Sequence, residues 1–397
     1  MKEKKFLEGV IVGIVIVMAV NMLIYFAVPT MFRGTSVSRG FDSQIVEKMN
    51  RIYSIIDIHF VDHFSIDDLE RGMFMGLMYG LGDAYSAYMC MEEYAQFEER
   101  TSGVFAGIGA VVSGTEDGRV VVVSPFDGSP AAEAGLMAQD IIMGVDGVDT
   151  HGLGTDTVVS MLRGTPGTDV VVTVFRESRE ETFDVTITRA FITIQTVSYR
   201  MIDGDVGYIR LSGFDQVTFE QFSGALDSLK EQGAQGFVID VRNNPGGLLD
   251  IVADIANLLV PEGNIVYTQD RYGNQSALSS DENYLGMPIV VLVNGNSASA
   301  SEVLAGAIMD HGMGILVGEQ TFGKGTVQRL FPLPDGSAVK LTVARYFTPN
   351  GTTIHGYGIT PHYIVTMEPE VTAMIAGLET EDDLQLVKAL EVLSTMR

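Results

Sequence analysis

The chain has 397 residues, and its 25 basic and 51 acidic side chains leave a net charge of −26. A surface of that sign is repelled by nucleic acid at physiological salt, so nucleic-acid partners are excluded. One cysteine, Cys90, rules out an intrachain disulfide and a cysteine-ligated zinc site.

Residues 1–33 open with "MKEKK" and continue into an apolar run in which Gly9 to Val28 carry no charge and only Asn21 is clearly polar. A helix of that length spans roughly 30 Å, the hydrocarbon thickness of a bilayer. The run is longer than the apolar part of a cleavable signal peptide and lacks an A-x-A-like site, which predicts an uncleaved anchor. Lys2, Lys4 and Lys5 beside it predict a cytoplasmic tip. The expected localisation is the cell membrane, single-pass, with the rest of the chain extracytoplasmic.

Residues 34–102 form a short linker, "RGTSVSRG", and then a helical region. Ile45, Met49, Ile52, Ile55 and Ile56 recur on one helix face. A second helix is expected after Ser65, a plausible N-cap with Asp68 three residues on. His59 and His63 stand at i, i+4, a spacing that can grip a metal on a helix. Without an H-E-x-x-H context they read as exposed helix residues, and no metal is expected.

From residue 103 to about 190 the chain changes to short β-rich runs broken by glycine: "GIGAVVS", "RVVVVSPF", "DIIMGVDG", "TDVVVTVFR" and "ETFDVTITRA". Helical stretches interrupt them at "SPAAEAGL" and "TDTVVSMLRG". "FAGIGA" followed by "GSPAAEAGLMAQDIIMGVDGVD" resembles a PDZ domain, with Gln139 standing where a glycine usually precedes the aspartate, here Asp140. A glycine turn entering a strand leaves backbone N–H groups free for a carboxylate, and the strand edge can accept a peptide as an added strand. Ile108, Gly109 and Ala110 would supply those groups.

Residues 191–366 alternate strands and helices in an α/β manner. In "MPIVVLVNGNSASASE" an apolar strand runs into Ser297, Ser299 and Ser301. A serine needs a base to become a nucleophile, and none of the six histidines lies in a triad motif. A lysine kept neutral by burial is the other choice. "GEQTFGKGTVQ" offers Lys324 between glycines in an uncharged run, with Gln328 four positions on and able to hold the amine by a neutral hydrogen bond. Spacing alone does not choose among the three serines.

Here the chain resembles the carboxy-terminal processing peptidases, or tail-specific proteases. Their signature is "SASASE" followed by "TFGKGTVQ", and "GLGDAYSAYM", "DVRNNPGG" and "PNGTTIHGYGITP" match further segments. Departures are Ala84 in place of proline and His362 in place of aspartate. The resemblance implies a Ser299–Lys324 dyad, with Gln328 orienting the lysine. It also implies a backbone oxyanion hole formed by Gly246 or Gly247 together with Ala300. It further suggests a regulatory role for Arg163 of "LRGTPG", as some family members use the PDZ segment to switch the site on.

The expected fold is multidomain α+β: a transmembrane helix, a helical segment, and a PDZ-like domain inserted before an α/β (ClpP/crotonase-like) protease core. Residues 367–397 form an acidic helical tail. The expected function is a membrane-anchored serine endopeptidase that recognises apolar C-terminal tails of exported proteins and needs no cofactor. Apolar stripes in the terminal helical regions point to a homo-oligomer or to packing on the chain's own core. The alternative is a non-catalytic tail-binding scaffold with a relic core, which the intact signature disfavours.

Overall fold

The computed structural model describes residues 40–397, and the chain divides into two compact units after Glu70. The expected transmembrane segment lies outside the described residues, and within them no helix is long and apolar enough to cross a membrane. Helix α1 (Ser43–His59) starts where the Asp42 side chain accepts the Ile45 amide at 2.9 Å. It stops at His59, so His63 lies past its end and the two exposed imidazoles do not share a helix face. Helix α2 (Ile66–Tyr79) begins as expected beside Ser65, whose hydroxyl accepts the Asp67 amide at 3.1 Å. Neither helix buries a residue, and Ile45, Ile52 and Ile55 are exposed.

Strand β1 (Ala87–Met89) and helix α3 (Met91–Ser102) lead into the β-rich segment. It is entered through β2 (Val104–Gly107). Its sheet holds β3 (Ala110–Gly114), β4 (Val120–Pro125), β5 (Ile141–Val145), β6 (Val148–Asp149), β7 (Asp169–Arg176) and β8 (Glu181–Thr188). The segment is left through β9 (Ala190–Thr193). Strands β2 and β9 pair antiparallel, Val104 with Thr193 and Gly107 with Ala190, so entry and exit form one two-stranded stalk. The sheet runs β3-β4-β5-β7-β8 and leaves β3 at an edge. Its alternating valines Val170, Val172 and Val174 face a core closed by α4 (Pro130–Glu133) and α5 (Thr155–Leu162). Gln139 adopts φ +71°, the left-handed conformation a glycine takes freely, so the turn survives the departure at a cost of about 1–2 kcal/mol. It thereby delivers the buried Asp140 to Arg176, whose guanidinium donates to both carboxylate oxygens at 2.7 Å.

The remaining chain builds a six-stranded sheet, β10-β11-β12-β15-β16-β19. Its first members are β10 (Val197–Ile202), β11 (Val206–Leu211) and β12 (Gly236–Asp240), with α6 (Thr218–Glu231) and α7 (Leu249–Asn257) in the connections. Strands β13 (Gly263–Asp270) and β14 (Gln275–Ser280) form a hairpin in a second sheet. The chain then returns through β15 (Ile289–Val293), α8 (Ala300–Asp310) and β16 (Gly314–Gly318). Strands β17 (Thr326–Pro332) and β18 (Ala338–Phe347) add to the second sheet, and β19 (Tyr363–Ile364) edges the first. From β11 through β16 neighbouring strands are parallel. A parallel sheet is covered on both faces, which is why "IVVLV" is apolar without alternation and wholly buried.

One face of that sheet, with Phe237, Ile239, Val291 and Val293, packs against α6, α7 and α8. The other, with Val238, Val290, Leu292 and Val317, is covered by Leu386, Ala389, Val392 and Leu393 of α10 (Leu384–Met396), which follows the short helix α9 (Pro369–Ala373). The apolar stripe of the tail is therefore satisfied within its own chain. At about 1.5–3 kcal/mol per buried large aliphatic side chain, α10 is a structural layer of the core. His362, the second departure, accepts the Leu316 amide at 3.0 Å through Nδ1, a bond a carboxylate oxygen could equally make.

Candidate active site

The apolar strand β15 ends at Val293, and the turn from Asn294 to Ser299 is tied down by the flanking serines. Ser297 Oγ donates to the Val241 carbonyl at 2.8 Å, and Ser301 Oγ donates to the Asn244 carbonyl at 2.9 Å. Both serines are fully buried. They brace this turn against residues 241–247 rather than capping the helix. Ser299 is half-buried and adopts φ +57° and ψ −114° at the start of α8. A side chain at positive φ is strained, and such strain collects where a turn must aim one group. Ser299 lines a cleft of about 290 Å³ together with Ala300, Gly247, Lys324, Gln328, Lys340 and Tyr346.

A residue without an expected role joins the serine turn to the lysine loop. Glu302 is fully buried, and its carboxylate accepts four hydrogen bonds. One oxygen takes the Ser299 and Lys324 amides, both at 2.9 Å. The other takes the Gly323 amide at 2.7 Å and the Thr321 hydroxyl at 2.6 Å. The spacing of Glu302, three residues after Ser299 at a helix start, is the capping-box signal that could have revealed it.

Lys324 is half-buried, and its ammonium lies 4.8 Å from the centroid of the Tyr85 ring. Burial, and next the charge of Lys340, hold its pKa below the ordinary lysine value, while Glu302 and Asp83 pull the other way. The Ser299 hydroxyl contacts Tyr346 Oη at 2.9 Å, and Tyr346 Oη also donates to the Lys324 carbonyl at 2.5 Å. The Gln328 amide donates to the Thr326 carbonyl at 3.1 Å and to the Thr326 and Thr342 hydroxyls at 3.0 and 3.4 Å. Ser299, Lys324 and Gln328 thus share a cleft, while each has taken another partner, and the amide of Gln328 is turned to threonines rather than to the amine. Tyr346 and Lys340 on β18 and Tyr85 ahead of β1 were not singled out in the sequence, where a lone aromatic or basic residue carries no local mark.

The glycine pair also sorts itself. The Gly246 amide donates to Asn244 Oδ1 at 2.8 Å. Among the described residues the Gly247 and Ala300 amides have no acceptor, and both residues line the cleft. A Cβ on Gly246 would stand 2.7 Å from the Ala298 carbonyl oxygen and 2.8 Å from Ser299 Cβ, so only glycine allows this approach.

At the β-rich segment, the Ile108 and Gly109 amides also have no acceptor among the described residues, and Ala110 opens the edge strand β3. Ile108 and Gly109 are buried and Ala110 is half-buried. Gly109 has φ +78°, and a Cβ there would lie 2.5 Å from Ser129 Cβ. Arg163 pairs with Glu99 of α3 and stacks 5.3 Å from the Phe105 ring centroid. Helix α3 also contributes Phe97 and Thr101 to the Ser299 cleft, so Arg163 stands one helix away from it.

Comparison with known proteins places these features. The model of peptidase family S41 matches residues 205–365, and that of the PDZ domain matches residues 106–187. The chain is 39% identical over 320 residues to a carboxyl-terminal-processing protease of Synechocystis sp., covering 79% of this chain and 74% of the relative. It is 38% identical over 328 residues to the carboxy-terminal processing protease CtpA of Bacillus subtilis, covering 82% and 70%. A solved structure of a photosystem II D1 C-terminal processing protease is 32% identical, with TM-score 0.48, over 81% of this chain and 87% of that one.

Proposed function

Because the chain belongs to peptidase family S41 and is a serine-type carboxy-terminal processing peptidase, we propose that it cleaves proteins near apolar C-termini through a Ser299–Lys324 dyad. In this reading Ser299 Oγ attacks the scissile carbonyl, and the neutral Lys324 amine takes its proton and passes it to the leaving amine. The Gly247 and Ala300 amides receive the oxyanion, Ala300 from the first turn of α8, where the helix favours negative charge. Water then hydrolyses the acyl-enzyme. Attack requires the Lys324 amine to turn from Tyr85 and the Ser299 hydroxyl from Tyr346. Gln328 orients the amine once its amide turns from the threonines.

The observation that carries this reading is the joint presence of Ser299, the half-buried Lys324 with its lowered pKa, and two acceptor-free amides in one cleft. Ile108, Gly109 and Ala110 capture the substrate's terminal carboxylate, and β3 accepts its backbone as an added strand. Arg163, through Glu99 and α3, relays that capture to the cleft. Residues 9–28 anchor the chain in the membrane with the catalytic domain outside, so the substrates are exported proteins. The exposed apolar residues of α1 and α2 support self-association.

Ser299→Ala and Lys324→Ala test the dyad directly. Each abolishes cleavage of a protein bearing an apolar tail while leaving the circular dichroism spectrum unchanged. Normal turnover in Lys324→Ala overturns the proposal. Alkaline carbonate extraction of membranes tests the anchor, which predicts retention in the pellet.

A further inference from the structure

The cleft holds a second lysine that the mechanism does not use. Lys340 lies on β18, paired in register with Ala87 of β1 on one side and Leu330 of β17 on the other. Side chains alternate along a strand, so Lys340 shares a face with Thr342, the partner of Gln328, and it lines the same cleft as Tyr346, the partner of Ser299. Its half-buried ammonium sits 5.8 Å from the Phe97 ring centroid, and Phe97, Leu330, Lys324 and Ser299 line the same cleft. Among the described residues no carboxylate lies within ion-pair distance of Lys340.

The groups around Lys324 make the consequence specific. From α8 comes Glu302, which holds the Lys324 amide, and from the segment before β1 come Asp83 and the Tyr85 ring. From β18 come the Tyr346 hydroxyl and Lys340. Both carboxylates favour an ammonium at Lys324. Asp83 is fixed in place by Ser86, whose hydroxyl donates to it at 2.5 Å, and Glu302 by its four donors. Neither can be moved away from the lysine without breaking the loop that carries it. Burial and Lys340 are what oppose them.

We propose that Lys340 is a positioning residue that keeps Lys324 in its uncharged, base-competent form by presenting a second, carboxylate-free ammonium to the same cleft. The inference rests on Lys324 being the base. Like charges in a partly desolvated site disfavour one another's charged forms, and burial beside Phe97 lessens the screening.

The test is the pH profile of kcat/KM for the full chain and for Lys340→Met and Lys340→Arg on one uncharged peptide substrate. In Lys340→Met the ascending limb moves to higher pH. Activity on that limb falls about tenfold for each pH unit of displacement and returns when the pH is raised. Lys340→Arg keeps the charge and follows the wild type. The position of the limb does not depend on how much of a variant is folded, so a partly unstable Lys340→Met still gives an answer. An unmoved limb in Lys340→Met overturns the inference, as does a rise in KM alone, which would mark a substrate contact. Failure of the underlying dyad is separately visible as turnover in Lys324→Ala.

Discussion

The Tyr346 hydroxyl bridges Ser299 Oγ and the Lys324 carbonyl, at 2.9 and 2.5 Å, from a side chain that is 2% exposed. A phenol has one proton, so Tyr346 shares it between two acceptors, the Lys324 carbonyl and Ser299 Oγ. Burial raises the Tyr346 pKa, so the phenol stays protonated through the neutral range. Tyr346→Phe strips the Lys324 carbonyl of its donor in a partly buried loop. It should lower stability by about 1–3 kcal/mol, measured by urea unfolding. Ser299→Ala leaves the Tyr346–Lys324 bond in place and should cost less.

Glu302 supports the site in a way that no neutral residue can copy. Its four donors occupy both oxygens. Glutamine has one acceptor oxygen, and its amide would point two N–H groups at other donors. Glu302→Gln should lose several kcal/mol of stability, at about 1.5–3 kcal/mol per hydrogen bond to a charged group. Because the serine turn and the lysine loop lose their common tether, kcat should fall further than the unfolded fraction explains. Active-site titration against turnover separates the two effects.

Much of this arrangement could be read locally. The buried strand before Ser299, the helix after it and the lysine loop all carry short-range signals, as do the valine alternation of the β-rich segment and the glycines of "NNPGG". What escaped was set by distant parts of the chain. Strand β14, "QSALSS", is exposed along most of its length and has no apolar alternation to announce it. Gln328 was expected to reach Lys324, but a register shift between Val327 and Gln328 accompanies its pairing with Thr342, and the amide goes to threonines. Tyr346 and Lys340 became site residues only when β18 was laid beside the cleft. The acidic tail displayed an amphipathic face, but its target, the far side of the sheet, lies about a hundred residues earlier at Val290 and Leu292.

Gly246 offers a sharper probe of the proposed oxyanion region than Gly247. With φ +106° and no room between Ala298 and Ser299, an alanine there must push the serine turn outward. Its own amide is already committed to Asn244, so the variant does not delete an oxyanion donor but displaces Ser299 and Ala300 together. Gly246→Ala should lower kcat by about 10²–10³, comparable to loss of one oxyanion donor, with little change in KM. Stopped-flow acylation by a chromogenic ester measures the step directly.

The turn that carries Gly246 is anchored from behind by a buried ion network, and that network predicts a pH-dependent variant. Arg242 is fully buried and donates to Asp240 Oδ1 and Oδ2 at 3.0 and 2.7 Å. It also donates to both oxygens of Asp383, at 2.8 and 2.7 Å, fastening the start of α10 to the core. Burial alone would raise the Asp240 pKa, but Arg242 foremost, with Arg210 and Tyr208, holds it below the ordinary aspartate value. A depressed folded-state pKa means stability that is complete above about pH 4 and lost as pH falls through the folded value. Arg242→Met leaves two buried carboxylates without their main cation and should cost about 3–5 kcal/mol at pH 7. It should also reduce turnover, since residues 243–247 lose their footing. At pH 4 the gap between variant and wild type should narrow, because Asp240, no longer held ionised, takes up a proton and sheds its burial penalty. Urea unfolding at the two pH values decides it: a gap that stays constant or widens toward acid would mean that Arg242 contributes packing rather than charge.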